Sequence, residues 1–414
     1  MIDLKLLRDN PDLVRETCAR RGSAINVDTL IALDAECRGL LAEVEAMRGE
    51  RNRLSKECKD NPAARDAVRE LKERLAAGEE RLNGLESKIA AMAAYLPNLL
   101  ADDVPEGATD ADNVELRQVG AIPQFDFKVR DHQELGELLD IIDTQRGAKV
   151  AQSGFYYWKG KGAQLVQALF FWTQRELVNR GFELFMTPCV AKEKTLYGTG
   201  YLPFFADQTY GLKDEDLALI GTSEQTLVGF HADEVLDGAT LPRCYTAFTP
   251  CFRTESGSYG KASRGIFRVH QFHKVEQIIF CKPSESVKYH EFCLENEEYL
   301  LRQLGLPYHV VNVCVGDLGA PGYKKYDIEA WFAGFAAYRE VTSNTNLTDF
   351  QSRRLNIRYK DGDERGFVHT ISATAMTDRA AIAILENNQQ ADGSVIVPEV
   401  LRPFTGFDKI EPVQ

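Results

Sequence analysis

Apolar residues fall on alternating steps of three and four along two stretches near the start of the chain. Leu30, Leu33, Cys37, Leu40, Val44, Met47, Leu54 and Cys58 form the first stripe, broken only at Arg51. Val68, Leu71, Leu75, Leu82, Leu85, Ile89, Met92 and Leu96 form the second, with Gly78 as its gap. Such a stripe is the buried side of a heptad helix. Asp60-Asn61-Pro62 interrupts the pattern, so the two helices are expected to fold back as an antiparallel hairpin. Each has roughly 30 residues, which at 1.5 Å per residue gives a reach on the order of 45 Å. One stripe per helix satisfies one partner only, which favours a projecting coiled coil over a hairpin laid into a bundle. An earlier helix is expected over 4–21 with Asp3 as its cap, and Asp28 is expected to cap the first arm helix. Pro97 ends the arm.

Residues 98–120 carry Pro, Gly, Asp and Asn without periodicity and mark a domain boundary. The pattern divides the chain into a helical N-terminal domain over 1–100 with an arm at about 28–96, a linker over 101–120, and a mixed domain over 121–414. In the last, an amphipathic helix over 162–180 precedes a strand at 182–186 that stops before Pro188. Further strands are expected at 217–221, 244–252, 266–280, 308–315, 326–331 and 336–343, and a helix at 379–388. This irregular alternation reads as α+β. No G-x-G-x-x-G follows a strand and no G-x-x-x-x-G-K-[ST] occurs, so neither common nucleotide-binding loop is indicated.

Charge sharpens the reading. The 414 residues carry a net charge of -13, which argues against non-specific coating of nucleic acid or anionic membrane. The imbalance is uneven, because residues 48–74 hold nine basic and six acidic residues. A basic tip on an acidic protein suits phosphate contact, with an ordinary solvated helix face as the alternative. Arg51, Arg53, Lys56, Lys59, Arg65, Arg69 and Lys72 are its candidate contacts. No apolar run is long enough to span a bilayer, and the first residues show no secretory signal, so no membrane is expected and the cytoplasm is the expected compartment. Nine cysteines, at 18, 37, 58, 189, 244, 251, 281, 293 and 314, include no CxxC pair. Reduced thiols are expected, and no zinc.

The densest polar segment runs from Cys251-Phe252-Arg253-Thr254-Glu255 through a Ser/Gly-rich stretch to Arg264-Gly265 and Phe267-Arg268-Val269-His270-Gln271-Phe272, then Lys274 and Glu276. Strand alternation puts Arg253 and Glu255 on one face. Ser256-Gly257-Ser258-Tyr259-Gly260 supplies a loop able to fold over a ligand. Arginines beside such a loop suit a carboxylate or phosphate. A salt-bridged surface hairpin is the competing reading.

These strings resemble the seryl-tRNA synthetases, class II aminoacyl-tRNA synthetases of the bacterial and eukaryotic type. The likeness runs nearly end to end. Leu96-Pro97-Asn98 resembles the exit of the family's tRNA-binding coiled coil, and Glu134-Leu135-Gly136-Glu137-Leu138-Leu139 to Arg146-Gly147-Ala148 the approach to its catalytic domain. The helix leading to Pro188 resembles motif 1, a dimer element. Gly198-Thr199-Gly200-Tyr201-Leu202-Pro203 and Thr222-Ser223-Glu224 resemble substrate loops, residues 252–276 motif 2, and Arg379 with Leu385-Glu386-Asn387 motif 3.

The resemblance implies a class II antiparallel sheet of six to seven strands flanked by helices, with the arm projecting from it. It implies a homodimer that activates L-serine with ATP and Mg²⁺ and passes it to the 3′ end of tRNA(Ser). By that resemblance Arg253 holds the α-phosphate and the amino-acid carboxylate, Glu255 accepts from the adenine amino group, and Phe272 stacks on adenine. Arg379 meets the terminal phosphate, and Glu340 and Ser343 hold ATP and its Mg²⁺. Thr254, Val269, Val341 and Thr342 complete the implied ATP set. Thr222, Ser223, Glu224, Glu276 and Thr374 surround the serine, and Arg253, Glu340 and Arg379 are the implied catalytic groups. Oxygen ligands suit Mg²⁺, and in-line displacement at phosphorus needs positioning and charge neutralisation more than a protein nucleophile.

Two stretches depart from the family pattern. Ser343-Asn344-Thr345-Asn346 stands where Ser-Cys-Ser-Asn is common, and Ile371-Ser372-Ala373-Thr374 lacks a Leu-Asn pair. The Thr374–Arg379 spacing is one residue shorter than usual. Both are expected near the amino-acid pocket and to bear on serine preference. Two other readings stand beside the ligase: a paralogue that activates serine or a related small amino acid for another acceptor, and a non-catalytic tRNA-binding relative.

Overall fold

The computed structural model describes residues 3–57, 62–256 and 264–413. Cys58, Lys59, Asp60-Asn61 of the arm turn and Gly257 to Gly260 of the glycine-rich loop lie outside them. The chain divides into two compact units, Met1–Leu99 and Leu100–Gln414.

The first unit is all helix. The helix expected over 4–21 is two, α1 (Leu4–Asp9) and α2 (Pro11–Arg20). Pro11 has no N–H for a continuing helix, so it starts a new one, capped by Asn10 accepting from Leu13 N at 3.3 Å. Asp3 caps α1 through Lys5 N. The long helices are α3 (Val27–Glu57) and α4 (Pro62–Ala93). The cap of α3 is Asn26, whose side chain accepts from Thr29 N at 2.9 Å; Asp28 instead pairs with Arg15 at 2.6 Å.

The two stripes meet as expected. Leu40, Val44, Leu75, Leu82 and Leu85 are buried together between the helices. At Gly78 the helices approach closely, because a Cβ there would lie 3.1 Å from Val44 and 3.3 Å from Met47. The missing side chain at the gap is thus part of the seam. Arg48–Glu79 at 2.7 Å and Arg81–Glu36 at 2.5 Å bridge α3 and α4. Such exposed pairs fix register more than they stabilise.

The second unit is built on an eight-stranded sheet. Its strands are β1 (Val114–Val119), β2 (Glu183–Phe185), β3 (Arg243–Phe252), β4 (Gln271–Cys281), β5 (Tyr308–Asn312), β6 (Lys324–Phe332), β7 (Ala337–Thr348) and β8 (His369–Thr377). The order is β1-β5-β6-β7-β8-β4-β3-β2. All pairs are antiparallel except β2 with β3, which is parallel. The sheet is therefore one strand wider than the six or seven expected. The extra edge is β1, inside the stretch read as a linker. Its side chains are mostly exposed, so no burial pattern marked it in the sequence. Ala101 and Val104, also in that stretch, pack with Val311, Val313 and Val315.

One face of this sheet is covered by α5 (Gly160–Asn179), α6 (Ser286–Leu304) and α7 (Asp378–Asn387). Val275 and Ile279 of β4, Ile371 and Ala373 of β8, and Ile328 of β6 point into that core. Burying each such large side chain contributes about 1.5–3 kcal/mol. Alternation then sends the intervening residues to the other face. The 266–280 strand is shorter than expected, because residues 266–270 approach β4 as turns before pairing begins at Gln271.

Two bulges shape the open face. Opposite β6, Ile328 pairs with Thr342 but Glu329 with Glu340, so Val341 is extra. Opposite β4, Thr374 pairs with Glu276 but Met376 with Val275, so Ala375 is extra. A bulge resets the alternation by one residue. Glu340 and Ser343, three apart, thereby share the open face, as do Thr374 and Thr377.

Candidate active site

The open face forms a cleft of about 420 Å³. Along β4 it presents Phe272, Lys274 and Glu276 at alternate positions. β3 continues to Arg253, whose backbone N–H donates to His270 O at 3.0 Å. The Arg253 guanidinium lies 5.2 Å from the centre of the Phe272 ring and donates to Gly221 O at 3.4 Å. Burial pulls its pKa down, but Tyr201, Cys251, Glu255 and Glu340 outweigh that, and the net shift is upward. The cation is permanent.

One end of the cleft is a buried acidic pocket. Thr222 Oγ1 donates to Glu276 Oε1 at 2.7 Å, and Lys274 forms an ion pair with the same oxygen. Glu276 Oε2 is buried without a partner among the described residues. Beside it, Glu224 accepts from Tyr201 Oη at 3.0 Å and from Gln351 Nε2 at 2.7 Å. Gln351 is held in turn by Thr370 Oγ1 at 2.8 Å. Burial pushes the Glu224 carboxyl up, and nearby Glu276 adds to that; Lys274, Gln351 and Tyr201 pull it partly back. Thr374 stands opposite Glu276 in register.

At the other end, Arg379 in the first turn of α7 donates to Glu340 O at 2.9 Å and to its carboxylate at 3.2 Å. Its guanidinium lies 4.5 Å from the Phe267 ring. Recess in the cleft pushes the Glu340 carboxyl up, but Arg379, Lys325 and Arg253 push it down by more. Glu340 keeps 45% of its side chain exposed in the cleft. Asp327 lies opposite Ser343 and pairs with Lys325 at 2.9 Å. Its other oxygen is buried without a partner.

The return limb of the loop is pinned from below. His132 Nε2 accepts from Ile266 N at 3.1 Å, which places the ring proton on Nδ1, 2.7 Å from Glu386. Gly265 at φ +74 passes so close that a Cβ would lie 2.0 Å from His132. Glu255, at the start of the loop, is also left-handed (φ +51) and meets Arg268 at 3.4 Å. A non-glycine residue held there carries about 1–3 kcal/mol of strain, of the kind found at ligand clamps.

Of the residues singled out from sequence, the cleft wall brings together Glu224, Arg253, Glu255, Val269, Phe272, Glu276, Glu340, Val341, Thr342, Ser343, Thr374 and Arg379. Three stand behind it. Thr222 braces Glu276, Ser223 is fully buried at the start of a short helix, and Thr254 donates to Asp207 O at 2.5 Å. Lys274, Tyr201, Lys325 and Gln351 were not assigned roles. Lys274 was detectable, since strand alternation puts it between Phe272 and Glu276. On the arm, Arg53 pairs with Glu50 at 2.7 Å and Arg69 with Asp66 at 3.3 Å. Arg51, Lys56, Arg65 and Lys72 stand on the same two helices; Lys59 is outside the described residues.

Residues 1–100 match the seryl-tRNA synthetase N-terminal domain, and residues 209–388 the tRNA synthetase class II core domain (G, H, P, S and T). A serine–tRNA ligase of Rubrobacter xylanophilus is 42% identical over 423 residues, spanning 100% of both chains. The chain belongs to the seryl-tRNA synthetase family. A Clavibacter michiganensis serine–tRNA ligase is 44% identical over 100% of this chain and 98% of its own. The seryl-tRNA synthetase of Pyrococcus horikoshii, solved with ATP, superposes with a TM-score of 0.95 at 40% identity over 100% of both chains. The cytoplasmic serine–tRNA ligase of Naegleria fowleri, solved with AMP, gives 0.89 at 30% identity over 100% of this chain and 99% of that one. Prolyl-tRNA synthetase of Giardia lamblia, at 15% identity and 0.58, shares the fold.

Against this seryl-tRNA synthetase frame, the departures fall differently from expectation. Asn344 points away from the cleft and donates to His290 O at 2.9 Å under the sheet. Ala373 likewise belongs to the helix-covered core. Thr345 and Ser372 do line the cleft.

Proposed function

We infer that this chain is a serine–tRNA ligase, which activates L-serine with ATP to seryl-adenylate and pyrophosphate and transfers the seryl group to the 3′ end of tRNA(Ser). The observation that carries this is a single sheet face on which an aromatic platform, a half-buried arginine and a buried acidic pocket follow one another. Adenine stacks on Phe272, with Glu255 accepting from its amino group. Arg253 neutralises the α-phosphate and the serine carboxylate, and Arg379 the terminal phosphate. Glu276 Oε2 receives the ammonium and the hydroxyl, with Glu224 and Thr374 beside it. A pocket that leaves its own acceptors unpaired when alanine enters rejects that competitor strongly.

Glu340 and Ser343 would hold the Mg²⁺ that accompanies ATP. Their oxygens fit it: the bulge at Val341 turns both to one face, and the unpartnered oxygen of Asp327 lies alongside. The ion supplies charge neutralisation on the phosphates. The serine carboxylate attacks the α-phosphorus, the bond to the β-phosphate oxygen breaks, and pyrophosphate leaves. The arm's basic end takes the tRNA backbone.

A homodimer fits the surface of α5 and β2, where Phe171, Val178, Leu184 and Met186 are exposed, the last 99% so. An aromatic cavity of about 440 Å³ beside α5, lined by Trp158, Phe170, Phe171 and Phe248, opens on the face opposite the charged cleft. The eight cysteines among the described residues are unpaired, which suits the reducing cytoplasm. Among the described residues no helix is long and apolar enough to cross a membrane.

The test is charging of tRNA(Ser) with labelled serine. Acid-stable seryl-tRNA is expected. Activation of serine without charging would instead indicate a paralogue serving another acceptor.

A further inference from the structure

We propose that Lys274 is a catalytic residue of the activation step, which passes from its ion pair with Glu276 to the reacting phosphate and carboxylate when serine binds. The proposal rests on the ligase reading above. It starts from position along β4, where Phe272, Lys274 and Glu276 face the cleft in that order. Alternate residues of a strand are about 7 Å apart. With adenine on Phe272 and the serine ammonium on Glu276, the ribose-linked α-phosphate and the serine carboxylate must lie between, over Lys274.

The neighbours leave room for them. Lys274 pairs in register with Thr249 on β3 and Thr377 on β8. Both are small, and Thr377 Oγ1 is committed to Val341 O at 3.1 Å. Lys274 is only 7% exposed, with Glu224 and Glu276 close by in the cleft. A buried lysine needs such a partner, and here it takes Glu276 Oε1, sharing that oxygen with Thr222. Glu276 Oε2 stays open.

Serine binding changes this balance. Its ammonium brings a second cation to Glu276 and weakens the hold on Lys274. Its carboxylate and the α-phosphate bring negative charge to the other side of the same ammonium. The four-carbon stem of lysine allows the shift. In the step itself a carboxylate oxygen forms the new bond to phosphorus as the bond to the bridging oxygen breaks, and pyrophosphate takes the electron pair. No proton moves. Lys274 and Arg253 flank the centre where negative charge accumulates.

The direct test is a crystal structure of the unmodified chain with the sulfamoyl analogue of seryl-adenylate. Lys274 Nζ is expected within hydrogen-bond distance of a sulfamoyl oxygen and no longer on Glu276. Persistence of the Lys274–Glu276 pair beside bound analogue overturns the proposal. In solution, Lys274→Met should lower kcat of serine-dependent pyrophosphate exchange by about 100-fold or more. Its KM for ATP should stay within about threefold, and Lys274→Arg should recover part of the loss. A loss confined to KM for serine would reduce Lys274 to a brace for Glu276 and refute the catalytic role. Wild-type exchange is read first: its absence withdraws the ligase reading, whereas an active wild type with an equally active Lys274→Met withdraws only Lys274.

Discussion

At the residue scale the site is governed by what each buried charge can reach. Arg253 has a backbone carbonyl and a ring beside it in the contacts described. That arrangement suits a group waiting for an anion, and Arg253→Ala should cut serine-dependent exchange by at least about 100-fold while the far-ultraviolet dichroism stays unchanged. Near-normal exchange would remove its assigned role. Thr374 and Asn344 make a contrasting pair. Thr374 faces the pocket, so Thr374→Ala should raise KM for serine about tenfold, roughly the worth of one lost hydrogen bond. Asn344 faces His290 under the sheet, so Asn344→Cys should alter the melting temperature and leave KM for serine within about twofold. The reverse ranking would mean that Asn344 shapes the pocket after all. Sequence strings identified most of the cleft-lining residues, because motif residues sit at fixed strand positions. They did not reveal that Thr222 donates to Glu276, or that Gln351 and Tyr201 donate to Glu224, since those contacts join residues up to 127 positions apart.

At the element scale, strands and helices differ in how much of themselves they declare. The arm was legible because its whole core is one heptad stripe per helix. The break at Asn10-Pro11 was legible in principle, and the proline was its signal. Bulges at Val341 and Ala375 were not, because a bulge is a relation between two strands. Residues 266–270 alternate like a strand, yet Ile266 N–H goes to His132 and His270 N–H to Gly154 O.

Helix α6 carries a prediction of its own. Glu297 is fully buried, with both carboxylate oxygens unpartnered among the described residues. Burial pushes its pKa well above the ordinary value, and Asp327, Glu276 and Glu298 push the same way. In the window between the ordinary and the raised value the folded chain holds a proton that the unfolded chain releases. Stability from this group is therefore complete below the ordinary carboxyl range and is lost as pH rises toward the raised value. Glu297→Gln should flatten that dependence, so that the gain in melting temperature over wild type is larger at pH 8 than at pH 5. A gain independent of pH would show that Glu297 is ionised in the fold.

At the scale of the whole molecule two units carry two recognition tasks. The eight-stranded sheet arranges small-molecule chemistry on one face by covering the other with helices. The arm offers charge along a stiff pair of helices, in a chain that is otherwise strongly acidic. Reversing Arg65, Arg69 and Lys72 together should weaken charging of tRNA(Ser) and its salt dependence while leaving pyrophosphate exchange intact. Equal loss in both assays would point to misfolding. Periodicity made the helical arm legible before the mixed sheet that follows it. The sheet's eighth strand was not, because an exposed edge carries little pattern.

The measurement that bears most directly on the central claim is amino-acid-dependent pyrophosphate exchange by the wild-type chain with serine, threonine, alanine and cysteine compared side by side. A pocket built around a small hydroxyl predicts exchange with serine well above the other three, with alanine weakest. No exchange with serine, or faster exchange with any of the others, would contradict it.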